Sequence, residues 1–575
     1  MFTVDEILQA RYPGLEQRGL VYAFRRTMLR WLLQEEAFTD FARQYPHLHG
    51  IEFIEQVLEY FNFSFAVSSR DRDNIPSQGR VIIIANHPIG SLDGLSLLKL
   101  IHEVRPDVKV LANDMLMHIS PMRQYLLPVN NMGGRTGKKN LVNILSSLEQ
   151  EQAVIIFPSG EVSRLKPAGV RDCKWNTGFL KIAARTKTPI LPIHISGRNS
   201  LWFYGLSMLS KPLSTALLIR EMFGQQNKKI TFQIGELVPH SSYTGLGIRN
   251  KTRAKLFKKH VYRVGKGRKA LFRTQTAIAL PERRCDLKKA LDAAERLGTT
   301  PDNKVIYLYD FLESSPIMRE IGRLREIAFR AVGEGAGNRR DLDRYDPLYR
   351  HLILWDEDDL EIAGAYRLAD AGKVVSRSGI AGLYTGTLFH YDQQNGWFLN
   401  NGLELGRSFV QPKYWGRRSL DYLWFGIGTF LARNPGYRYL FGPVSISNSM
   451  PCLAKELLVF FYRLYFSARG NTIFSKNPVR FDYPQADLAG EFCGDDYRKD
   501  FKHLKQLLAN MGVAVPPLYK QYSELCTPGG VQFLDFNVDP DFGSCIDGLV
   551  VVDLTKLKET KRKRYMGTTA VYGKS

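Results

Sequence analysis

Between residues 80 and 200, short apolar runs alternate with segments of helical periodicity. RVIIIAN (80–86), DVKVLAN (107–113), AVIIFP (153–158) and PILPIHISG (189–197) are short, apolar and rich in β-branched residues, the mark of buried strands. LSLLKLIHEV, NLVNILSSLEQ and TGFLKIAART between them place apolar residues at helical spacing. This alternation restricts the region to an α/β layering whose strands feed loops at one sheet edge. KITFQIGELV (229–238) adds a last strand.

A chain of 575 residues is too long for one ordinary core, so a second domain is expected. The segment 266–285 is basic and irregular and reads as a linker between a domain over 1–265 and one over 286–555, followed by a basic tail at 556–575. The second domain mixes strands (KVIYLYDF, GLELGRSFVQ, YRYLFGPVSIS), a hairpin across the acidic turn of LILWDEDDLEIAGAYRL, and helices (SPIMREIGRLREIAFRA, SLDYLWFGIGTFLAR, PCLAKELLVFFYRLYF). The overall fold class is α/β in the first domain and mixed α/β in the second.

The first candidate site is NHPIGSLDG (86–94). A loop histidine acts as a general base when a carboxylate fixes its tautomer, and Asp93 is the nearest acid after His87. Pro88 and Gly90 bend the segment, and Ser91 or Asp93 can start a helix as its N-cap. The helix start is expected to disfavour the imidazolium and keep His87 a base. The alternative is a polar turn in which Asp93 only caps. Three further loops follow strands: PVNNMGGR with Arg135, FPSGEVSR with Ser159, Gly160, Glu161 and Arg164, and LPIHISGR. Together they point to a shared cleft.

The second candidate site lies in NNGLELGRSFVQPKYWGRRSLDYLW. Its strand carries Glu404 and Arg407, and Gly416, Arg417, Arg418 and Ser419 open a helix whose backbone N–H groups suit a pantetheine phosphate or pyrophosphate. Upstream, Asp341 reads as a solvated loop acid, whereas Asp343 and Asp346 are candidates for holding a cationic amine.

The four N-terminal blocks resemble, in order and spacing, those of the glycerolipid (PlsC-like) acyltransferases, in their hemolysin-like branch, over residues 70–240. The resemblance implies that His87 takes a proton from an acceptor hydroxyl, with Asp93 orienting it, as that hydroxyl attacks an acyl thioester. Arg135, Gly160, Glu161 and Arg164 would bind substrate. The spacing is His-x5-Asp where the family commonly has His-x4-Asp, and Ser159-Gly160-Glu161 replaces the common Glu-Gly, so the acceptor is left open. FRAVGEGAG, DLDRYD, GAYR, ELGRSFV and LFGPVSIS, spanning 300–480, resemble the ornithine N-acyltransferases of the GNAT superfamily. That likeness implies transfer of a 3-hydroxyacyl chain from acyl carrier protein to the ornithine α-amine. Glu404 would activate the amine. Asp343, Asp346 and Arg407 would bind substrate, and Gly416, Arg417, Arg418 and Ser419 the pantetheine end. The fusion resembles bifunctional ornithine-lipid synthases. The second domain would make a lyso-lipid whose 3-hydroxyl the first domain esterifies.

Charge bears on partners. A net charge of +22 favours an anionic partner, whether nucleic acid, an acidic membrane face or an acidic carrier protein, and composition does not choose among them. The resemblance implies acyl carrier protein and an anionic membrane surface. No helix-turn-helix, zinc-finger or RRM pattern points to nucleic acid. The competing readings are a lysophospholipid acyltransferase fused to an N-acyltransferase for another amine, and a basic anion-binding protein. Residues 18–43 form a helical pattern that suits either a membrane surface or packing on the domain, and the tail reads as a disordered extension. No apolar run reaches the roughly 18 residues of a membrane span, and the N-terminus lacks a signal-peptide core. The six cysteines lack metal-ligand spacing and read as mostly buried, reduced thiols. The expectation is therefore a cytoplasmic, peripheral inner-membrane enzyme. It takes an acyl-carrier-protein or coenzyme A thioester as donor, with no bound cofactor and no metal.

Overall fold

The computed structural model describes residues 34–567 with Thr27 and Arg30, apart from 114–115, 118, 130–137, 168, 210–216, 245–246, 392–395 and 469–472. The chain divides into two compact units, Met1–Ala279 and Leu280–Ser575.

Unit 1 is built on a seven-stranded sheet. Its strands are β1 (Ser64–Val67), β2 (Val81–Ala85), β3 (Val108–Asn113), β4 (Leu126–Val129), β5 (Ala153–Ile156), β8 (Ile190–Ser196) and β9 (Lys229–Ile234), with a small hairpin of β6 (Arg164–Lys166) and β7 (Gly169–Arg171) between β5 and β8. The spatial order is β1-β9-β8-β2-β5-β3-β4. Strands β8, β2, β5, β3 and β4 run parallel, and β9 turns antiparallel to β8. Every residue of central β2 is buried, as a parallel strand covered on both faces must be. Its side chains alternate between two cores: Val81, Ile83 and Ala85 face one, Ile82 and Ile84 the other. Parallel neighbours deliver their C-terminal ends to one edge, so the loops after β8, β2 and β5 emerge side by side.

Unit 2 holds an eight-stranded sheet. Its members are β10 (Glu295–Thr299), β11 (Lys304–Tyr309), β12 (Arg350–Asp356), β13 (Glu361–Asp370), β15 (Gly402–Val410), β16 (Tyr439–Ile446), β18 (Val531–Asp539) and β19 (Cys545–Asp553); short β14 (Phe389–His390) pairs with β17 (Phe474–Ser475) outside it. The order is β10-β11-β12-β13-β15-β16-β19-β18. Neighbours are antiparallel except β15 and β16, whose parallel pairing runs only from Gly402–Tyr439 to Glu404–Phe441. Beyond that point β15 stays with β13 and β16 stays with β19, so the sheet forks. Gly442 sits at the crotch, where a side chain would collide with the Leu405 carbonyl.

Two expectations need correction, on the tail and on the cysteines, and a third falls mostly outside the described residues. The tail does not stay extended: Glu559–Met566 is helical and docks on helix Ser419–Arg433, with Tyr565 buried and its hydroxyl 2.9 Å from Asp421 Oδ1. Gly428 supplies the close approach. One aromatic anchor and one ion pair, Arg564–Asp421 at 2.5 Å, outweigh the basic composition. Residues 568–575 lie outside the described residues. Of the cysteines, Cys526 and Cys545 are buried, while Cys285, Cys452 and Cys493 are exposed. The 18–43 pattern falls mostly outside the described residues. Its described part, helix Glu35–Gln44, buries Phe41 against Phe53 and Tyr60.

Candidate active sites

His87 leaves β2 at the sheet edge, and helix Ser91–His102 begins four residues later. Asp93, the third residue of that helix, is fully buried. Its Oδ2 accepts from Ile89 N (2.9 Å) and its Oδ1 from Gly90 N (3.3 Å), so it closes the helix start from within. The same Oδ1 lies 3.0 Å from His87 Nδ1, off the line of an ideal hydrogen bond. Capping and orienting are thus one arrangement rather than rival explanations of Asp93. Gly90 takes φ 125°, a conformation that favours glycine and turns the loop back onto the helix.

Three of the four blocks meet here. Asn86 exchanges two hydrogen bonds with the backbone of Ile195 (2.7 and 2.9 Å), tying the end of β2 to β8. Asn199 donates to Ile89 O, and Ser163 N donates to His87 O at 2.7 Å. Phe157 stacks on the imidazole with ring centres 4.2 Å apart. His87 itself keeps a side-chain exposure of 20%. Ser159 Oγ bonds Glu161 O, Gly160 takes φ 67°, and Arg164 pairs with Glu161 at 3.7 Å and lies over Phe203. Arg135 lies outside the described residues.

The structure adds an acid that the motifs do not contain. Asp172, fully buried after the β6–β7 hairpin, accepts from His87 N (3.2 Å) and Ser163 Oγ (2.5 Å) on Oδ1 and from Trp175 Nε1 (2.8 Å) on Oδ2. No spacing rule in the sequence links it to His87. Burial, the largest influence on the imidazole, opposes its protonation, but Asp93 and then Asp172 outweigh it and raise the pKa above 6.5. The expectation that the imidazolium is disfavoured therefore needs correction: Asp93 and Asp172 favour it. Burial likewise raises the pKa of Asp172.

In unit 2 the fork between β15 and β16 opens into a cavity of about 410 Å³, bordered among others by Glu334, Tyr384, Arg407, Trp415, Ser445 and Asp547. Arg407 occupies a bulge: two β15 residues, Arg407 and Ser408, face the single β13 residue Tyr366. Its φ of 46° is left-handed and strained for a non-glycine residue, and the bulge re-aims its side chain. The guanidinium is sandwiched by Tyr384 and Phe542 (4.8 and 4.7 Å) and lies 3.5 and 3.4 Å from Asp341 and Asp343.

Asp341 is buried, not solvated, because Arg407 and the fold close over it. Asp343 and Asp346 do not border the cavity; arginines already neutralise them. Arg367 Nη1 lies 2.8 Å from Asp343 and 3.2 Å from Asp346, and Arg325 Nη1 lies 2.7 Å from Asp346. Despite their burial, these cations hold both carboxyls below the ordinary range. Glu404 is 1% exposed and sits behind the cavity wall. It accepts from the Tyr349 hydroxyl and from Thr385 N (2.8 Å), and burial raises its pKa. Gly416 (φ 76°) turns the chain into helix Ser419–Arg433. Arg417 and Arg418 are exposed at its start, Ser419 is buried, and Trp415 forms cavity wall.

Two cavity acids escaped the sequence reading. Glu334 follows helix Pro316–Ala331, and Asp547 lies on β19. Asp547 bonds Ser445 Oγ at 2.6 Å. Burial, reinforced by neighbouring acids, raises Glu334 to about 7 and Asp547 to about 6. An aspartate inside the apolar strand CIDGLVVVD was the available signal.

Residues 7–267 match a family described as acyltransferase, and residues 324–425 one described as acetyltransferase (GNAT) domain. A glycine N(alpha)-acyltransferase of Bacteroides thetaiotaomicron is 31% identical over 295 residues, 49% of this chain and 87% of that protein. The chain belongs to the family of that N-acyltransferase. The acyltransferase is also similar to a lyso-glycine lipid O-acyltransferase of the same organism, 26% identical over 250 residues, covering 42% of this chain and 90% of the relative. An L-ornithine N(alpha)-acyltransferase of Brucella abortus is 29% identical over 144 residues, 22% of this chain and 49% of that relative. The protein is a bifunctional acyltransferase, with a PlsC-like unit first and a GNAT unit second.

Proposed function

We propose that the protein builds an N,O-diacylated ornithine lipid in two steps that run backwards along the chain. Unit 2 joins a 3-hydroxyacyl group, delivered on acyl carrier protein, to the α-amine of ornithine. Unit 1 then esterifies the 3-hydroxyl of that lyso-lipid. The observation that carries this reading is the pairing of a hydroxyl-directed site, His87 with Asp93, and an amine-directed fold in one chain. The first product carries the hydroxyl that the second site needs.

In unit 1, His87 takes the acceptor hydroxyl proton as the oxygen attacks the thioester carbonyl, and Asp93 stabilises the imidazolium that forms. Gly160, Glu161, Arg164 and Arg135 bind the substrate. In unit 2, Gly416 and Ser419 with Arg417 and Arg418 receive the pantetheine end at a helix start. Arg407, held beside the cavity by its bulge, meets the amino-acid carboxylate. Asp343, Asp346 and Glu404 fix Arg367, Arg407 and the Tyr349–Tyr384 wall around it. The acidic lining of the cavity suits an acceptor with a second ammonium group, as ornithine has. The net charge of +22 suits acyl carrier protein and the cytoplasmic face of an anionic membrane.

A second reading, glycine as the amine, is favoured by the 31% identity to the Bacteroides relative. Incubating the full-length protein with 3-hydroxyacyl thioesters of acyl carrier protein or coenzyme A and an equimolar mixture of ornithine and glycine separates the two by product mass. N-acylornithine made chiefly from the carrier-protein thioester is the expected result. N-acylglycine as the main product would overturn the choice of amine, and a coenzyme A preference the choice of donor.

A further inference from the structure

We propose that Glu334 is the general base of the N-acyl transfer, taking the proton of the attacking amine inside the forked-sheet cavity. The proposal deepens the reading of unit 2 and rests on it only for the reaction type, not for the identity of the amine.

Three observations converge on Glu334. First, it borders the cavity in the fork, whereas Glu404 does not. Second, its side chain is only 9% exposed and among the described residues no protein hydrogen bond acts on its carboxylate, so the oxygens that line the cavity are left for a ligand to meet. Glu404 differs: Tyr349 and Thr385 already engage both of its oxygens. Third, the backbone holds Glu334 firmly. Gly333 takes φ 83°, Ser447 Oγ bonds Val332 O at 2.5 Å, and Gly543 packs without room for a side chain against Gly333 O.

The electrostatics fit the task. The groups facing Glu334 are Asp547 and Cys545 on β19, with Arg407 and Tyr384 across the cavity. Burial and the Asp547 charge bring Glu334 to about 7, where a base is strong enough to accept a proton and still ionised at neutral pH. Asp547 is a positioning residue: it keeps Glu334 basic and is itself held by Ser445.

The step balances without a further reactant. The acceptor enters as an ammonium ion and passes one proton to the Glu334 carboxylate. The freed nitrogen lone pair forms the C–N bond at the thioester carbonyl. The tetrahedral intermediate collapses with cleavage of the C–S bond. A second nitrogen proton goes to the departing thiolate, leaving an amide and a free thiol, and Glu334 then returns its proton to water.

The test uses full-length protein, whichever 3-hydroxyacyl thioester (of acyl carrier protein or of coenzyme A) and whichever of ornithine or glycine the wild type uses faster, with thiol release measured from pH 5 to 9. The wild-type kcat/KM should rise with a midpoint near 7. Glu334→Gln should lose about 10²–10⁴-fold in kcat and lose that midpoint, with KM changed only a few-fold. Glu334→Asp should recover part of the rate, and Glu404→Gln should retain the midpoint. A Glu334→Gln enzyme that folds with an unchanged thermal midpoint at pH 5 but keeps kcat within a few-fold would overturn the proposal. So would a loss confined to KM, or disappearance of the midpoint in Glu404→Gln instead. The choice of amine is decided separately by the wild-type rates.

Discussion

Two residues illustrate how neighbouring carboxylates favour the protonated form of a base and of an acid alike. His87 has its pKa above 6.5 because Asp93 and Asp172 outweigh burial. Its neutral, base form therefore accumulates only above that value, and O-acyl transfer should rise with pH through a midpoint above 6.5. The stability drawn from the contact has the matching sign. It is full below the unfolded value of about 6.5 and is lost as pH rises through the folded one. Asp93→Asn and Asp172→Asn should each move the kinetic midpoint down, Asp93→Asn further, and Asp93→Asn should also lower the rate because the tautomer is no longer fixed; a pH–rate series on the three proteins measures this. Glu334 is raised instead by burial and by Asp547, to about 7. Ionising it in the folded state is unfavourable, so its contribution to stability is full below the ordinary glutamate value and declines until pH passes about 7. Glu334→Gln should raise the thermal midpoint above pH 7. The gain should shrink toward zero between pH 7 and about 4.5, as calorimetry across that range would show.

At the scale of elements, each site is a place where a sheet stops pairing. In unit 1 that place is the edge where parallel β8, β2 and β5 end. Central β2 holds it, so Ile83→Ala should destabilise unit 1 by about 2–5 kcal/mol through the cavity it leaves, read as a lower denaturant midpoint. In unit 2 the place is the fork, and the bulge at Arg407 aims a cation beside it. Much of this was legible. The β-branched runs announced β2, β5 and β8, and NHPIGSLDG announced the His87–Asp93 contact, because periodicity and glycine turns are local properties. The fork was not legible, since it depends on which strand β16 leaves and which it keeps. Nor was the β18–β19 pair read, although GLVVVD is strand-like, and with it Asp547 was missed. Asp172 reaches His87 only because the β6–β7 hairpin folds back over a distance no motif spans. The tail helix was missed for a similar reason: Tyr565 gains its value from Gly428, far away in sequence.

At the scale of the whole molecule, two units with separate chemistry share one polypeptide of net charge +22. No helix among the described residues is long and apolar enough to cross a membrane. Because His87 and the unit 2 cavity belong to different units, loss of one activity should leave the other intact. The most direct test of the central claim is the mass of lipids extracted from a bacterial host that lacks amino-acid lipids, expressing either the full-length protein or its His87→Ala variant. The wild type should yield a phosphorus-free, ninhydrin-positive lipid with one amide-linked and one ester-linked acyl chain on ornithine. His87→Ala should yield the singly acylated lyso form. Absence of any such lipid, or an unchanged doubly acylated product from His87→Ala, would contradict the account.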